Sequence, residues 1–326
     1  MPTVIEELDR FGPQHCEQLS YEQAAAYTRS LVRRQYENFS VVSWLLPRRM
    51  HADFANVYAF CRWADDLGDE TGDPQRSIEL LAWWRDELKA CYADQPRHPV
   101  FVALRQTIQR HDIPAKPFED LIDAFEQDQR VHRYETWDQV VDYCARSANP
   151  VGRLVLYTCG YGDEHRQRLS DATCTALQLV NFWQDVRRDI TERDRIYVPA
   201  ADLARHGLTH EALTDHVLGR RELDVCQRIA YRATIGELID RTWPLFCEGR
   251  ALWPLVRRDV RLSICLFTLG GEAVMRRIER IGYDTLTRRP ALTKAAKARL
   301  MMKAAMRRFA PGRRSQPAQC APEPVA

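Results

Sequence analysis

The stretch Asn181–Ile190, NFWQDVRRDI, decides how the rest of the chain is read. Residues four apart are neighbours on a helix surface, so Asn181, Asp185 and Asp189 stack on a single face. Two carboxylates placed this way repel each other unless a cation or a proton lies between them. Either the face points into water or something positive binds it. The preceding run, ALQLVNFW, has few polar positions before Asn181. Carboxylates next to a buried face must be paired, protonated or metal-bound.

Working outward, helical signals recur along nearly the whole chain. Ser20 and Gln23 have capping-box spacing ahead of an Ala-rich run to about residue 39. Phe54, Val57, Tyr58 and Cys61 repeat at helical spacing after Pro47. Asp73-Pro74 has the form of an N-cap and a first-turn proline. Asn149-Pro150 should end or kink a helix. Long alternating β patterns and Asn-Gly or Asp-Gly hairpin signals are absent from the sequence. These features predict an all-α fold: one helical domain over 20–309, an N-terminal extension over 1–19, and a Pro-rich disordered tail over 310–326.

Composition narrows the function classes. The chain is 45% hydrophobic and 28% charged with a formal charge of +2, so nothing electrostatic argues for nucleic acid. Ten dispersed cysteines without a C-x-x-C pair argue against a zinc site or a disulfide framework and fit a reducing cytosol. The first residues have no basic and apolar signal-peptide pattern, and no apolar run approaches the ~20 residues of a membrane span. A cytoplasmic protein is expected. Residues 294–309 carry six basic residues and no acid, with Met302, Ala305, Met306 and Phe309 on one stripe. That helix could lie on the inner membrane face as a peripheral contact, or dock its stripe on the core.

The 25 aspartates make four D-x-x-x-D pairs, where chance gives about two, so the spacing alone says little. Asp138/Asp142 reads as a solvated helix face. Context singles out Asp65/Asp69, which ends an apolar and aromatic helix with Asp66 and Glu70 in the same turn, and Asp185/Asp189. Hard oxygen ligands at this spacing suit Mg²⁺, completed by waters and substrate phosphates. The competing reading is that both clusters are helix-end acids paired with Arg62, Arg187 or Arg188.

FCRWADDLGDE (60–70) and LVNFWQDVRRDITERDRIYVP (179–199) resemble the two Asp-rich motifs of the squalene/phytoene synthase family. ENFSVVSWLLP (37–47) and FEQDQ (125–129) occur in the matching order, and the resemblance spans residues ~30 to ~285. QYENFSVVSWLLPRRM and YCARSANPVGRLVLY place the chain nearest the hydroxysqualene synthases of bacterial hopanoid pathways.

The resemblance implies an isoprenoid-synthase-type helical bundle around a central cavity, with Mg²⁺ as cofactor and no NADPH. It implies Asp65 and Asp69 as catalytic metal ligands of the first motif, and Asn181, Asp185 and Asp189 as those of the second. Arg62 resembles the arginine that contacts the diphosphate, and Gln35 and Phe39 fall at substrate-binding positions. Phe60, Phe125, Tyr157 and Phe182 are further candidates to line the cavity. Gln35 stands where many members have histidine, and Pro150 departs from a small-residue pattern. Ala145 stands where squalene and dehydrosqualene synthases carry a tyrosine associated with coupling two farnesyl diphosphates. The implied substrate is presqualene diphosphate, converted with water to hydroxysqualene. The implied functional partners are a presqualene diphosphate synthase and a hydroxysqualene reductase. Two rival readings stay open: a head-to-head prenyl transferase, and a non-catalytic assembly member of the family.

Overall fold

A computed structural model describes residues 3–34 and 47–293 together with 296 and 299–301. Gln35, Phe39 and most of 294–309 lie outside them. The described residues form thirteen α-helices and no strand; two isolated bridges, Phe11 with Cys16 and Arg133 with Ile196, are the only extended pairings among them. They group into two compact units, one within 1–131 and 145–167, the other within 132–144 and 168–326.

The first unit contains α1 (Val4–Phe11), α2 (Tyr21–Arg34), α3 (His51–Asp69), α4 (Pro74–Tyr92), α5 (Pro99–His111), α6 (Lys116–Asp128) and α8 (Asn149–Thr158). The expected start signals operate. Ser20 and Gln23 exchange side-chain and backbone hydrogen bonds ahead of α2. Asp73 caps α4, accepting the Gln75 N–H at 3.0 Å. Pro150 sits in the first turn of α8, which begins after the single residue Ala148 that follows α7 (Trp137–Ser147).

Helix α3 is buried on nearly all sides, packing against α1, α2, α4, α5, α6 and α8. Its apolar length therefore forms the middle of the unit. Two of its buried polar residues, Asn56 and Asp53, are satisfied by α2 and α5. Thr28 donates to Asn56 at 2.7 Å, Asn56 donates to the Ala103 carbonyl and to Thr107, and Thr107, Arg110 and His111 surround Asp53. A fully bonded network of this kind specifies register where apolar packing alone would tolerate sliding. Below it, Trp63 and Trp84 stack at 5.3 Å, with the His98 ring edge-on to both at 4.4 and 4.9 Å. Phe60 lies in this same core cluster, with Phe125 and Tyr157 packed at its edge.

The second unit contains most of α7, most of α9 (Glu164–Arg193), α10 (Ala200–Arg205), α11 (His210–Val217), α12 (Val225–Gly249) and α13 (Arg258–Arg280). Trp183 donates to Thr242 at 3.1 Å, and Phe182 stacks on Tyr197 at 3.7 Å, with Tyr143 and Tyr134 continuing the aromatic column. The stretch RIYVP leaves α9 and hydrogen-bonds along residues 132–134, Ile196 N–H to His132 and Ala200 N–H to Tyr134, both at 2.9 Å. Where α13 crosses α9 and α12, a Cβ on Gly271 would stand 2.5 Å from Phe246 and 2.7 Å from Leu177. Among the described cysteines, Cys16, Cys61, Cys91, Cys144, Cys159, Cys174, Cys226 and Cys265 carry free thiols.

Two expectations follow. Gly271→Ala should overpack that crossing and lower the unfolding free energy by about 1–3 kcal/mol in a denaturant titration. Acid should weaken the first unit through His98, which caps α5 by accepting the Val100 N–H on Nδ1 and has no hydrogen-bond partner on its buried Nε2. Burial holds its pKa well below 6.5. The unfolded chain therefore takes up a proton near pH 6.5 that the folded one refuses. Stability is full above that pH and falls by about 1.4 kcal/mol for each unit below it. His98→Asn, which keeps a cap acceptor, should lose part of the difference in denaturation midpoint between pH 7.5 and 5.5; an unchanged difference would exclude His98 as its source.

Candidate active site

The first candidate cluster lies on the last turn of α3. Asp65, Asp66 and Asp69 occupy that turn and Glu70 caps it, with no basic residue among them. A helix C-terminus already carries partial negative charge, so four acids there are held against the dipole. Arg62, one turn back, offsets part of this. Its guanidinium pairs closely with Asp66 and lies 3.7 Å from Asp65. The two aspartates differ in setting: the Asp66 side chain is 3% exposed and that of Asp65 47%. Burial pushes the Asp66 carboxyl up to about 7, with Asp65 and Glu70 adding to the effect and Arg62 opposing it. Asp66 thus anchors Arg62, while Asp65 presents oxygens to solvent. The competing ion-pair reading of Arg62 is borne out, and it fixes the guanidinium beside the motif.

Tyr58 belongs to the same face and was not singled out from the sequence. Burial pushes its phenol up, Arg62 draws it down, and Asp65 and Asp66 push it up again. The signal was the spacing 58, 62, 65, 69, hidden because Tyr58 also fits the apolar repeat.

The second cluster lies on α9. Phe182, Trp183, Val186 and Ile190 are buried, while in the row that the spacing predicts Asn181 is exposed and Asp185 and Asp189 are half-buried. The row is not a regular helix face. Asp185 departs from helical geometry, with φ −106° and ψ 15°. Burial, and then the Asp185 charge, push the Asp189 carboxyl up to about 7, opposed by Arg193, Arg188 and Arg195. Asp185 is not held by Arg187 or Arg188. Arg188 pairs with Glu192 at 2.7 Å and Arg187 donates to the Leu286 carbonyl at 3.3 Å. The partner of Asp185 is Arg289, 104 residues on, at 2.6 and 3.0 Å. Nothing local in the sequence marks that arginine.

On α9, burial and the Asp185 charge disfavour ionised Asp189, and a hard divalent cation on those oxygens would relieve the repulsion. On α3 the half-exposed Asp65, with Asp69, offers oxygen donors of the same kind, while Asp66 is taken by Arg62. Among the described residues no three His, Cys, Asp or Glu side chains converge as a complete metal-binding set. Each pair would supply a partial set, completed by Asn181, water or phosphate oxygens. Separately, in the first unit, Asp123, Glu126, Gln127, Arg130, Val131 and Arg146 line an open cleft of about 510 Å³. Arg85 ties Asp123 and Glu126 at 2.7 and 3.0 Å, and Arg146 donates to Gln127 at 2.8 Å. Ala145, next to Arg146, is exposed. Among the described residues no helix is long and apolar enough to cross a membrane.

Comparison with known proteins identifies the family. The family profile for squalene/phytoene synthase matches residues 32–296. A hydroxysqualene synthase from Zymomonas mobilis is 36% identical over 182 residues, 54% of this chain and 59% of that protein. One from Rhodopseudomonas palustris is 33% identical, covering 74% of this chain and 78% of that one. A phytoene synthase from Thermus thermophilus is 30% identical, covering 84% and 90%. The crystal structure of a squalene synthase from Alicyclobacillus acidocaldarius superposes with a TM-score of 0.73 at 45% identity, covering 81% of this chain and 95% of that one. The chain belongs to the squalene/phytoene synthase family and is an isoprenoid-processing enzyme similar to hydroxysqualene synthases.

Proposed function

We propose that the protein converts presqualene diphosphate and water to hydroxysqualene and diphosphate in a Mg²⁺-dependent reaction. The observation that carries this reading is the pair of carboxylate clusters, Asp65 and Asp69 beside Arg62 on α3 and the Asn181, Asp185, Asp189 row on α9, in a chain similar to hydroxysqualene synthases. Mg²⁺ held by Asp65 and Asp69, and by Asn181, Asp185 and Asp189, would neutralise the departing diphosphate. Arg62, fixed by Asp66, offers that group a permanent guanidinium whose fork suits phosphate oxygens. Gln35 and Phe39 complete the proposed substrate-binding residues. Ala145 supports a role limited to the second half of the family chemistry, because it removes the phenol associated with coupling two prenyl diphosphates.

This places the enzyme after a reaction that joins two farnesyl diphosphates and before one that reduces the allylic alcohol. The partners by function are therefore a presqualene diphosphate synthase and a hydroxysqualene reductase. Water rather than a nicotinamide hydride would quench the cation, so no NADPH is required. The proposed location is the cytoplasm, with 294–309 as a peripheral contact at the membrane face. The 30% identity to a phytoene synthase supports one second reading, a head-to-head prenyl transferase.

Asp65→Asn and Asp185→Asn should each lower kcat by at least roughly a hundredfold with the helical circular-dichroism signal intact. Near-normal turnover in both variants would sink the carboxylate assignment. Purified protein with Mg²⁺ and presqualene diphosphate, without NADPH, should yield hydroxysqualene, and farnesyl diphosphate alone should yield nothing. A C30 or C40 product from prenyl diphosphates alone would favour the prenyl-transferase reading.

A further inference from the structure

The segment after α13 has no helix of its own through residue 293 and runs along the second motif. Its start is tied to α12, where Tyr231 shares a hydrogen bond with Thr285 at 2.7 Å and Arg232 pairs with Asp284 at 2.9 Å. Its continuation is held by side chains of α9. Gln184 donates to the Pro290 carbonyl, Arg187 donates to the Leu286 carbonyl, and Asp185 accepts from both Nε and Nη2 of Arg289. Residues 286–290 thus form a strap across the point where α9 departs from helical geometry.

The Arg289–Asp185 contact is bidentate, with one guanidinium nitrogen on each carboxylate oxygen. This fork-to-fork geometry is the strong and orientation-specific form of an ion pair. The Asp185 side chain is 17% exposed and that of Arg289 52%, so the contact is partly shielded from water on the acid side. A divalent ion coordinated by Asp185 would stand within a few ångströms of the guanidinium, where like charges repel strongly. The two cations therefore compete for one carboxylate.

We propose that Arg289 is the built-in counter-cation of Asp185, and that a divalent cation reaches the α9 row only as Arg289 leaves it and the 286–290 strap loosens. This rests on the reading of Asp185 as a metal ligand. It makes Arg289 a positioning residue that sets metal affinity through a segment far from the motif in sequence. Cation binding and release of the strap are then linked: whatever favours one favours the other.

The test is Mn²⁺ binding to the full-length protein without substrate, read by electron paramagnetic resonance, with hydrogen exchange of residues 284–290 followed in parallel. Arg289→Gln should bind Mn²⁺ about tenfold more tightly than wild type, equivalent to about 1.4 kcal/mol. Arg289→Lys, which keeps the charge but loses the fork, should fall between them. In the wild type, Mn²⁺ should speed exchange of the 286–290 amides. Gln184→Ala unties Pro290 without touching the carboxylate and should also tighten Mn²⁺ binding. Asp185→Asn should abolish the Arg289-sensitive binding.

Equal or weaker Mn²⁺ affinity in both Arg289→Gln and Gln184→Ala, with Asp185→Asn still losing the ion, would overturn the strap and leave Asp185 as a ligand. Absence of Mn²⁺ binding in wild type and in Arg289→Gln would overturn the ligand reading and the strap together.

Discussion

The constraint on which the first unit depends is that one helix, α3, must be buried along its length and yet end in acid. Its apolar residues meet six neighbouring helices, and its buried Asn56 and Asp53 are fully bonded to α2 and α5. That burial leaves Asp66 no exit to solvent. Burial pushes its carboxyl up to about 7, and Arg62 paired with it opposes that shift. The position of the candidate diphosphate-binding guanidinium is thus a consequence of core packing. A helix that ended in solvent would leave Arg62 free to wander among several acids.

The second unit solves a similar electrostatic problem differently. On α9 the apolar residues Phe182, Trp183, Val186 and Ile190 face the core, and the row from Asn181 to Asp189 faces away from it. The charge at Asp185 is balanced by Arg289 rather than by a neighbour in its own helix. The helix gives up regular geometry at that residue. Local departures from regular helix geometry are over-represented at functional sites.

The family places the protein among isoprenoid-processing enzymes. Ionising an allylic or cyclopropylcarbinyl diphosphate is a problem of stabilising a leaving anion. Carboxylates that could hold hard cations, and a guanidinium fixed by Asp66, are the physical means the chain offers. Which carbon skeleton departs is a finer matter. On that point the similarity to hydroxysqualene synthases and the substitution at Ala145 agree, while the phytoene synthase relative shows how small the sequence distance to coupling chemistry is.

Much of this was legible in the sequence. The all-helical class followed from apolar periodicity, the starts of α2 and α4 from Ser20/Gln23 and Asp73-Pro74, and the break before α8 from Pro150, because caps and prolines act through bonds within one turn. The row Asn181, Asp185, Asp189 was legible for the same reason. Other features belonged to tertiary structure. Whether Asp65 or Asp66 takes Arg62 depends on which side of α3 is buried, and Tyr58 joins the site only because that face is shared with the acids. The pairing of Asp185 with Arg289 joins residues 104 apart, and no local pattern encodes it. Sequence spacing determined which side chains share a helix face; only packing decided which of those faces meet water, and therefore which charges must find a partner.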